Sequence, residues 1–272
     1  MTPSEGTARF VASSTLGPSI MGILNVTLDS FYDGGSIRNV EDALNLAAQM
    51  LKDGASIIDV GGESTRPGHK PVATQQEIDR IGPVVEAIAR ELDTPISIDT
   101  TKAAVASVAF QVGAHIVNDI WGLQGDPAMA DVVAGFDAGV VVMHNRHGVN
   151  EHLDILADIN DFFTRSLDIA GRAGIRPMHL MLDPGIGFGK TSDQNLRIIA
   201  HLECFRSHGL PILIGVSRKS FIGDTIGNLG ADRLPGTIAA NLRAVQGGAQ
   251  FIRVHDVGAC AQALRIWKAT TP

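Results

Sequence analysis

The sequence contains few cysteines, no long apolar run and no excess of positive charge, and each absence excludes a class of protein. Cys204 and Cys260 are the two cysteines among 272 residues, too few for a disulfide scaffold, and we expect two buried thiols. No apolar stretch approaches membrane-spanning length, and the first residues lack the apolar core of a secretory signal. A net charge of −7 excludes general affinity for nucleic acids or acidic membranes. We expect a cytoplasmic protein.

Short apolar, β-branched runs recur along the chain and are separated by longer amphipathic segments. Because the runs are continuous and do not alternate with polar residues, they indicate strands that are buried on both faces. The runs are "SIMGIL", "ASIIDV", "PISID", "HIVNDI", "GVVVM", "HLMLD", "PILIGV" and "FIRVHD". The segments between them include "VEDALNLAAQMLKDG", "TQQEIDRIGPVVEAIAREL", "TKAAVASVAFQVG" and "LPGTIAANLRAVQGG", which read as helices.

This alternation of strand and helix predicts a parallel sheet. The unit is about 30 residues long and roughly eight copies fit, which favours a (β/α)₈ TIM barrel. A doubly wound open sheet is the alternative. No break in composition suggests a second domain, so we expect one barrel domain over residues 19–272, preceded by an N-terminal extension over residues 1–18.

Residues capable of chemistry follow the carboxyl ends of almost all of these runs. In a closed barrel those ends meet at one rim, where barrel enzymes have their active sites. The residues are Asn25, Asp59, Glu63, Asp99, Asn118, Asp119, His144, Asp183, Ser217 to Lys219, and Arg253 to Asp256. The pattern therefore predicts a site built from many strands.

The cations among the rim residues are concentrated in an otherwise acidic protein. They are Arg66, Lys219, Arg253 and His255. Convergent Arg and Lys side chains form clamps for phosphate or carboxylate groups. The alternative is that each pairs with a neighbouring carboxylate, as Asp256 could with His255.

Asp99, Asn118 and Asp183 each end an apolar strand, where an unpaired carboxylate is costly. They need either a protein cation, which is plausible for one of them, or a ligand rich in N–H donors. A heterocycle with an amidine-like edge explains all three together. Phe188, in a glycine-rich loop, could stack on such a ring or simply pack the loop.

Several familiar catalytic and binding motifs match this sequence only in part. Pro184 occupies the first glycine position of a P-loop, and Lys219 stands where a nucleophile elbow requires glycine. His144, His147 and His152 lie in a polar, loop-like segment. We interpret them as surface or rim histidines and not as a zinc site.

Seven segments resemble, in order and spacing, the signature segments of the dihydropteroate synthase family. They are "MGILNVTLDSFYDGG", "DVGGESTRPG", "ISIDTTKAAVA", "IVNDIWGL", "LDPGIGFGKT", "GVSRKSFIG" and "RVHDV", between Met21 and Val257. The family folds as a (β/α)₈ barrel, which agrees with the pattern. The resemblance implies a transferase of folate biosynthesis that condenses a dihydropterin methyl diphosphate with 4-aminobenzoate, releasing diphosphate. It also implies Mg²⁺, a homodimer and sensitivity to sulfonamides.

The resemblance assigns roles to individual residues. The pterin would contact Asp99, Asn118, Ile120, Met143, Asp183, Phe188 and Lys219. The diphosphate would contact Asn25, Thr65, Arg66, Arg253 and His255, with Asn25 also binding Mg²⁺. The aminobenzoate would contact Phe31, Thr65, Pro67, Phe188, Ser217 and Lys219. The catalytic residues would be Asp29, Arg66, Lys219, Arg253 and His255. Leu28 and Tyr32 depart from the family pattern, which usually has proline and serine there.

Two other functions are compatible with parts of this pattern. A methyltetrahydrofolate:corrinoid methyltransferase would share Asp99, Asn118 and Asp183 but would not use a diphosphate clamp. A catalytically silent paralogue that binds a pterin should have lost its charged rim residues. Because Arg66, Arg253 and His255 are all present, we favour the synthase.

Overall fold

The computed structural model describes residues 1–26, 39–63 and 71–270, and it contains an eight-stranded parallel barrel. The strands are β1 Ser19–Asn25, β2 Ile57–Gly61, β3 Ile96–Asp99, β4 Ile116–Asp119, β5 Gly139–Met143, β6 Leu180–Asp183, β7 Leu213–Ile214 and β8 Phe251–Val254. Each lies within or beside its predicted run, so the predicted (β/α)₈ fold is confirmed.

The barrel is closed around β1, which pairs in parallel with both β2 and β8. The hydrogen-bonded order is β6-β5-β4-β3-β2-β1-β8-β7. The joint between β6 and β7 consists, among the described residues, of an isolated parallel bridge from Leu182 to Ile212. The backbone N–H of Leu182 also donates to the Pro211 carbonyl at 2.9 Å. This joint is the thinnest in the barrel.

Among the described residues, helix α1 precedes the barrel and the other helices alternate with its strands, as the sequence predicts. The helices are α1 Pro3–Ser13, α2 Val40–Asp53, α3 Thr74–Glu91, α4 Ala103–Gln111, α5 Met129–Gly135, α6 Ile155–Ala173, α7 Ser192–Ala200, α8 Ser220–Ile226, α9 Leu234–Gln246 and α10 Val257–Thr270. Their ends follow ordinary capping rules. The Asn39 side chain accepts from the backbone of Asp42 at the start of α2, and Gly54, with φ of +114°, ends it.

A layer of apolar side chains fills the amino-terminal half of the barrel interior. It combines one residue from each of seven strands with one from α1, and all of them are fully buried. They are Met21, Ile57, Ile116, Val141, Met181, Leu213, Phe251 and Phe10. A barrel of this size is packed with side chains and is not a pore. This layer is therefore the floor of anything that binds at the opposite end.

Helix α1 covers the amino-terminal end of the barrel. The Phe10 ring lies 4.3 Å from the Phe251 ring, centroid to centroid. The Thr7 hydroxyl donates to the His115 carbonyl at 3.1 Å, between strands β3 and β5. A capping box formed by Thr2 and Glu5 begins the helix. The division into an extension over residues 1–18 and a domain over residues 19–272 stays a prediction.

The two cysteines differ in environment. Cys260 is buried, as predicted, whereas Cys204 is exposed, so that part of the prediction is wrong. Cys204 lies in a 3₁₀ helix over Leu202–His208, in which Leu202 and Phe205 face the core and Cys204 faces outward. None of the helices in the described part of the chain has the length and apolar composition that crossing a membrane requires.

Candidate active site

The candidate site lies directly above the apolar floor, because side chains on one face of a strand recur every second residue. In six of the strands, the residue two positions after the one in the apolar floor therefore points into the same space. These residues are Asp59, Asn118, Met143, Asp183, Gly215 and Arg253. On β3, Ser97 and Asp99 occupy the corresponding face, paired in register with Asp59 and Gly61. The structure thus brings the predicted polar residues of separate strands to one mouth.

Arg253 is held in this mouth by two carboxylates. Its Nε donates to Asp59 Oδ2 at 2.6 Å and a terminal nitrogen donates to Asp99 Oδ2 at 2.7 Å. The Arg253 side chain is 18% exposed and Asp59 is not exposed at all. Burial acts to lower the pKa of Arg253, but the two carboxylates outweigh it and raise that pKa. The predicted alternative, a cation paired with carboxylates, therefore applies to Arg253.

Three buried oxygens in this mouth have no hydrogen-bond partner among the described residues. They are Asp59 Oδ1, Asp99 Oδ1 and Asn118 Oδ1. The Asn118 amide nitrogen donates weakly to Asp59 Oδ2 at 3.4 Å. Burial raises the pKa of Asp99 despite the opposing effect of Arg253. Unpaired buried acceptors are costly, so these oxygens favour a ligand that presents N–H donors.

Asp183 and Lys219 meet on the other side of the mouth, at Gly215. A Cβ placed on Gly215 would lie 3.9 Å from both Asp183 Oδ2 and Lys219 Nζ, and equally far from Arg253 Cβ. Burial lowers the pKa of Lys219 to about 8, and the Asp183 carboxylate opposes that shift. Burial also raises the pKa of Asp183, whose Oδ1 accepts from the Gly185 N–H at 2.7 Å.

Phe188 stands beside Lys219. The Lys219 ammonium lies 4.7 Å from the centroid of the Phe188 ring and donates to the carbonyl of Ile186. The ring therefore lies at the mouth beside Lys219, and its role toward a ligand stays a prediction. Ile120 and Met143, which are 8% and 3% exposed, follow β4 and end β5 at the same rim.

His255 and Ser217 form a second polar pair at the rim. The Ser217 hydroxyl and His255 Nδ1 are 2.9 Å apart, and the His255 backbone N–H donates to the same hydroxyl at 3.2 Å. Asn25 ends β1, the strand beside β8. Its Oδ1 lies 3.4 Å from the position of a Cβ on Gly61, and Asp99 Oδ2 lies 4.0 Å from that position.

Some rim residues are engaged elsewhere. The Asp119 carboxylate accepts from the backbone N–H groups of Trp121 and Leu123, so it organises the turn that follows β4. Asp256 pairs with Arg218. His144 is buried, although we interpreted it as a surface or rim histidine, and His147 packs on Trp121. In the described ranges, no three His, Cys, Asp or Glu side chains could hold a metal ion.

Several predicted residues lie outside the described residues. They are Leu28, Asp29, Phe31 and Tyr32 in the first βα loop, and Thr65, Arg66 and Pro67 in the second. Their assigned roles stay predictions.

The structure indicates roles for two residues to which the resemblance assigned none, although Asp59 was among the predicted rim residues. Asp59 orients Arg253, and Lys190 is buried at the end of the Phe188 loop. An aspartate inside a continuous apolar run was a signal for the first, since such a carboxylate needs a partner. Sequence alone did not show that the partner is 194 residues away.

Comparison with known proteins agrees with this geometry. A family model described as pterin binding enzyme matches residues 21–255. A dihydropteroate synthase of Bacillus subtilis is 46% identical over 250 residues, covering 92% of this chain and 87% of that protein. The chain belongs to the dihydropteroate synthase family of pterin-binding enzymes. It is accordingly a transferase.

Solved members of the dihydropteroate synthase family superpose closely on this chain. One from Clostridium difficile, determined in the presence of pteroic acid, has a TM-score of 0.88 at 46% identity, covering 93% of this chain and 96% of that chain. One from Xanthomonas albilineans, determined with 4-aminobenzoic acid, has a TM-score of 0.88 at 39% identity, covering 94% of each chain. The family's barrel and the fold described here are the same.

Proposed function

We propose that this enzyme joins a dihydropterin methyl diphosphate to 4-aminobenzoate, giving dihydropteroate and diphosphate. The observation that carries the proposal is a pair of buried acceptors, Asp99 Oδ1 and Asn118 Oδ1, which have no partner among the described residues and lie in the same mouth as Asp183 and Lys219. A pterin presents amino and ring N–H donors on one edge and a carbonyl oxygen beside them. Relatives solved with pteroic acid and with 4-aminobenzoic acid support the same two substrates.

In this proposal the pterin ring enters the mouth edge first. Asp183 accepts from its amino and adjacent N–H groups, while Lys219 donates to its carbonyl and ring nitrogen. Asp99 and Asn118 accept from the remaining donors, and each then gains the partner that burial demands. Ile120 and Met143 supply apolar contact area, and the Phe188 ring can stack on the flat heterocycle.

The diphosphate is assigned to the rim between β8 and β1. Among the described residues, Arg253 has one terminal nitrogen left after its bonds to Asp59 and Asp99, and His255 directly follows the same strand. Thr65 and Arg66 are proposed to complete this clamp. Ser217, with Phe31 and Pro67, is proposed to frame the aminobenzoate.

The residues present fit a bound Mg²⁺. Asn25 places an exposed amide oxygen at the rim, near Asp99. Mg²⁺ at phosphate sites usually takes one or two protein oxygens and completes its shell with phosphate and water, so a cluster of protein carboxylates is not required. When bound, the ion would supply positive charge against the phosphate oxygens.

We propose a dissociative reaction. The bond from the pterin methylene to the diphosphate oxygen breaks first, leaving a cation that is delocalised into the pterin ring. Arg253 and His255 stabilise the departing negative charge, and fixed dipoles of this kind cost no reorganisation during the reaction. The neutral amine of aminobenzoate then attacks the methylene carbon and releases a proton. Asp29 and Phe31 are proposed to exclude water from the cation.

The test is product formation by the purified enzyme. Dihydropteroate formation should require dihydropterin diphosphate, 4-aminobenzoate and Mg²⁺ together, and a chelator should abolish it. Asp183→Asn should raise the KM for the pterin substrate by about tenfold or more, because it weakens contacts with the ring edge. The exposed Asp131→Asn serves as the matched control. Failure to form dihydropteroate when both substrates and Mg²⁺ are present would refute the proposal.

Three further properties belong to this proposal. We expect the enzyme to be cytoplasmic. We also expect a homodimer, and light scattering after size exclusion will test the oligomeric state. We expect sulfonamides to compete with 4-aminobenzoate, because they mimic that substrate. Steady-state inhibition at several aminobenzoate concentrations distinguishes competition from other modes.

A further inference from the structure

Lys190 ends the loop that carries Gly185 and Phe188, and its ammonium is enclosed by acceptors. The residue is 7% exposed. Its Nζ donates to the carbonyl oxygens of Gly185 at 2.7 Å and Phe188 at 3.0 Å, and it lies 2.8 Å from His144 Nδ1. An ammonium has three N–H donors, and here each has an acceptor. The Lys190 ammonium thus binds the loop near both of its ends.

The Lys190 ammonium is itself held by residues outside the loop. His144 Nε2 lies 2.9 Å from Asp158 Oδ2 on α6, and Arg146 donates to the same oxygen at 2.7 Å. A carboxylate only accepts, so we assign the imidazole proton to Nε2, which leaves Nδ1 as the acceptor for Lys190. The loop is therefore connected through Lys190 and His144 to helix α6.

The backbone of the loop also packs closely against His144. Gly185 has φ of +67°, and a Cβ there would lie 1.9 Å from the His144 carbonyl oxygen. The same loop donates the Gly185 N–H to Asp183 and places the Phe188 ring against Lys219. Lys190 thus binds the carbonyl oxygens of residues whose other groups contact the residues assigned to the pterin.

Burying an ammonium is costly, and an apolar residue of similar size is often the more stable choice. Burial lowers the pKa of Lys190 to about 7, with Lys219 and Arg146 acting in the same direction and Asp183 and Asp158 opposing it. A group with this cost, placed behind a binding loop, is better explained by the conformation that it enforces than by stability.

We propose that Lys190 is a positioning residue for the pterin substrate, which holds the 184–189 loop so that Phe188 and the Asp183–Gly185 contact keep their geometry. This inference rests on the proposed function and assigns to it a residue that does not touch the substrate. Misplacement of a substrate contact by about 1 Å can reduce a rate about a hundredfold, so the effect is measurable.

The test compares Lys190→Met and Lys190→Gln with Lys52→Met, a matched control on the exposed face of α2. Lys190→Met should raise the KM for dihydropterin diphosphate and the Kd for pteroic acid by about tenfold, with kcat within about threefold of wild type. Lys190→Gln, which keeps two N–H donors, should fall between Lys190→Met and wild type. Amide exchange over residues 185–189 should accelerate in Lys190→Met, while exchange in β5 and β6 stays unchanged.

Unchanged KM and Kd in a folded Lys190→Met variant would overturn the proposal, even if the melting temperature fell. If that variant does not fold, Asp158→Asn releases His144 from a partly exposed position and should raise the same two constants about threefold. A wild-type protein that forms no product refutes the proposed function. Pteroic acid binding and amide exchange would then still decide the role of Lys190, since neither requires turnover.

Discussion

Asp59 illustrates how much one buried carboxylate can determine. It has no exposed surface, and a single oxygen accepts from both Arg253 and Asn118. Asp59 therefore positions one residue assigned to the diphosphate and one assigned to the pterin. Its place in the sequence indicated a need for a partner, but a partner on β8 could be identified only once the barrel had closed.

Asp59→Asn should lower kcat/KM by about tenfold or more, because the neutral amide removes the negative charge that holds the Arg253 guanidinium in place. Stability should fall less than for a fully unpaired charge, since Arg253 keeps Asp99. Steady-state kinetics and thermal melting measure the two effects. The exposed Asp131→Asn is the control, and equal kcat/KM in the two variants would contradict the role given to Asp59.

Lys190 and Lys219 predict how stability depends on pH. Their pKa values are lowered from 10.5 to about 7 and about 8, so above pH 7 the unfolded chain binds protons that the folded chain does not. The free energy of unfolding should therefore rise with pH, by up to about 1.4 kcal/mol per unit from Lys190. The simplest window ends near pH 9, because burial raises the pKa of Cys260 from 9.0 to about 11, and above pH 9 that thiol offsets part of the gain from the two lysines.

Urea denaturation at pH 7, 8 and 9 tests this dependence. Wild type should gain stability across the series, and Lys190→Met should gain less because one of the two lysines is gone. Lys52→Met, on the surface, should keep the wild-type slope. A Lys190→Met slope as steep as that of wild type would show that Lys190 does not titrate in this range.

At the scale of elements, Lys102 connects the start of α4 to two other segments. Its ammonium lies 2.5 Å from a Glu77 carboxylate oxygen on α3, pairs with Glu63 after β2, and donates to the Val72 carbonyl at 2.8 Å. Glu63 and Val72 stand on either side of the second βα loop, which carries Thr65, Arg66 and Pro67. The Glu77 side chain is 1% exposed, and Lys102 is the cation that contacts it.

Lys102→Met should destabilise the protein by about 3–5 kcal/mol, because it leaves the buried Glu77 carboxylate without its cation. Urea denaturation measures the loss. Adding Glu77→Gln to Lys102→Met should recover part of it, since the unpaired charge is then removed. Lys52→Met should have little effect. If the double variant were no more stable than Lys102→Met, the pair would not be the cause.

The strands were predictable because each is buried on both faces and reads as a continuous apolar run. Their ends were less predictable. The run "PILIGV" indicated a strand over residues 211–216, but β7 is Leu213–Ile214. The chain turns soon afterwards, with Arg218 at φ of +57° and the Lys219 N–H bonded to the Val216 carbonyl. That turn brings Lys219 back to Asp183, and no local pattern encodes it.

At the scale of the whole molecule, the barrel separates stability from chemistry along its axis. Phe10 and the apolar floor occupy one end, and the polar residues of the candidate site occupy the other. The family resemblance covered the site end with specific motifs, whereas the covering role of α1 could not be read from its sequence. A helix of modest amphipathicity does not show which surface it meets.

Phe10→Ala should reduce the free energy of unfolding by about 3–5 kcal/mol, because it leaves a cavity against Phe251. The kcat/KM at a temperature where the variant is folded should match wild type, since the floor separates the two ends. Met178→Ala, at a position that is 55% exposed, is the control for both measurements. A large loss of kcat/KM in folded Phe10→Ala would show that the two ends are coupled.

The thin joint between β6 and β7 has a consequence for ligand binding. Asp183 ends β6 and Lys219 follows β7. The two residues proposed to hold one edge of the pterin therefore lie on opposite sides of this joint. A ring bound by both residues would connect β6 to the segment after β7. Ligand binding would then slow separation of the two strands at the joint where backbone hydrogen bonds contribute least.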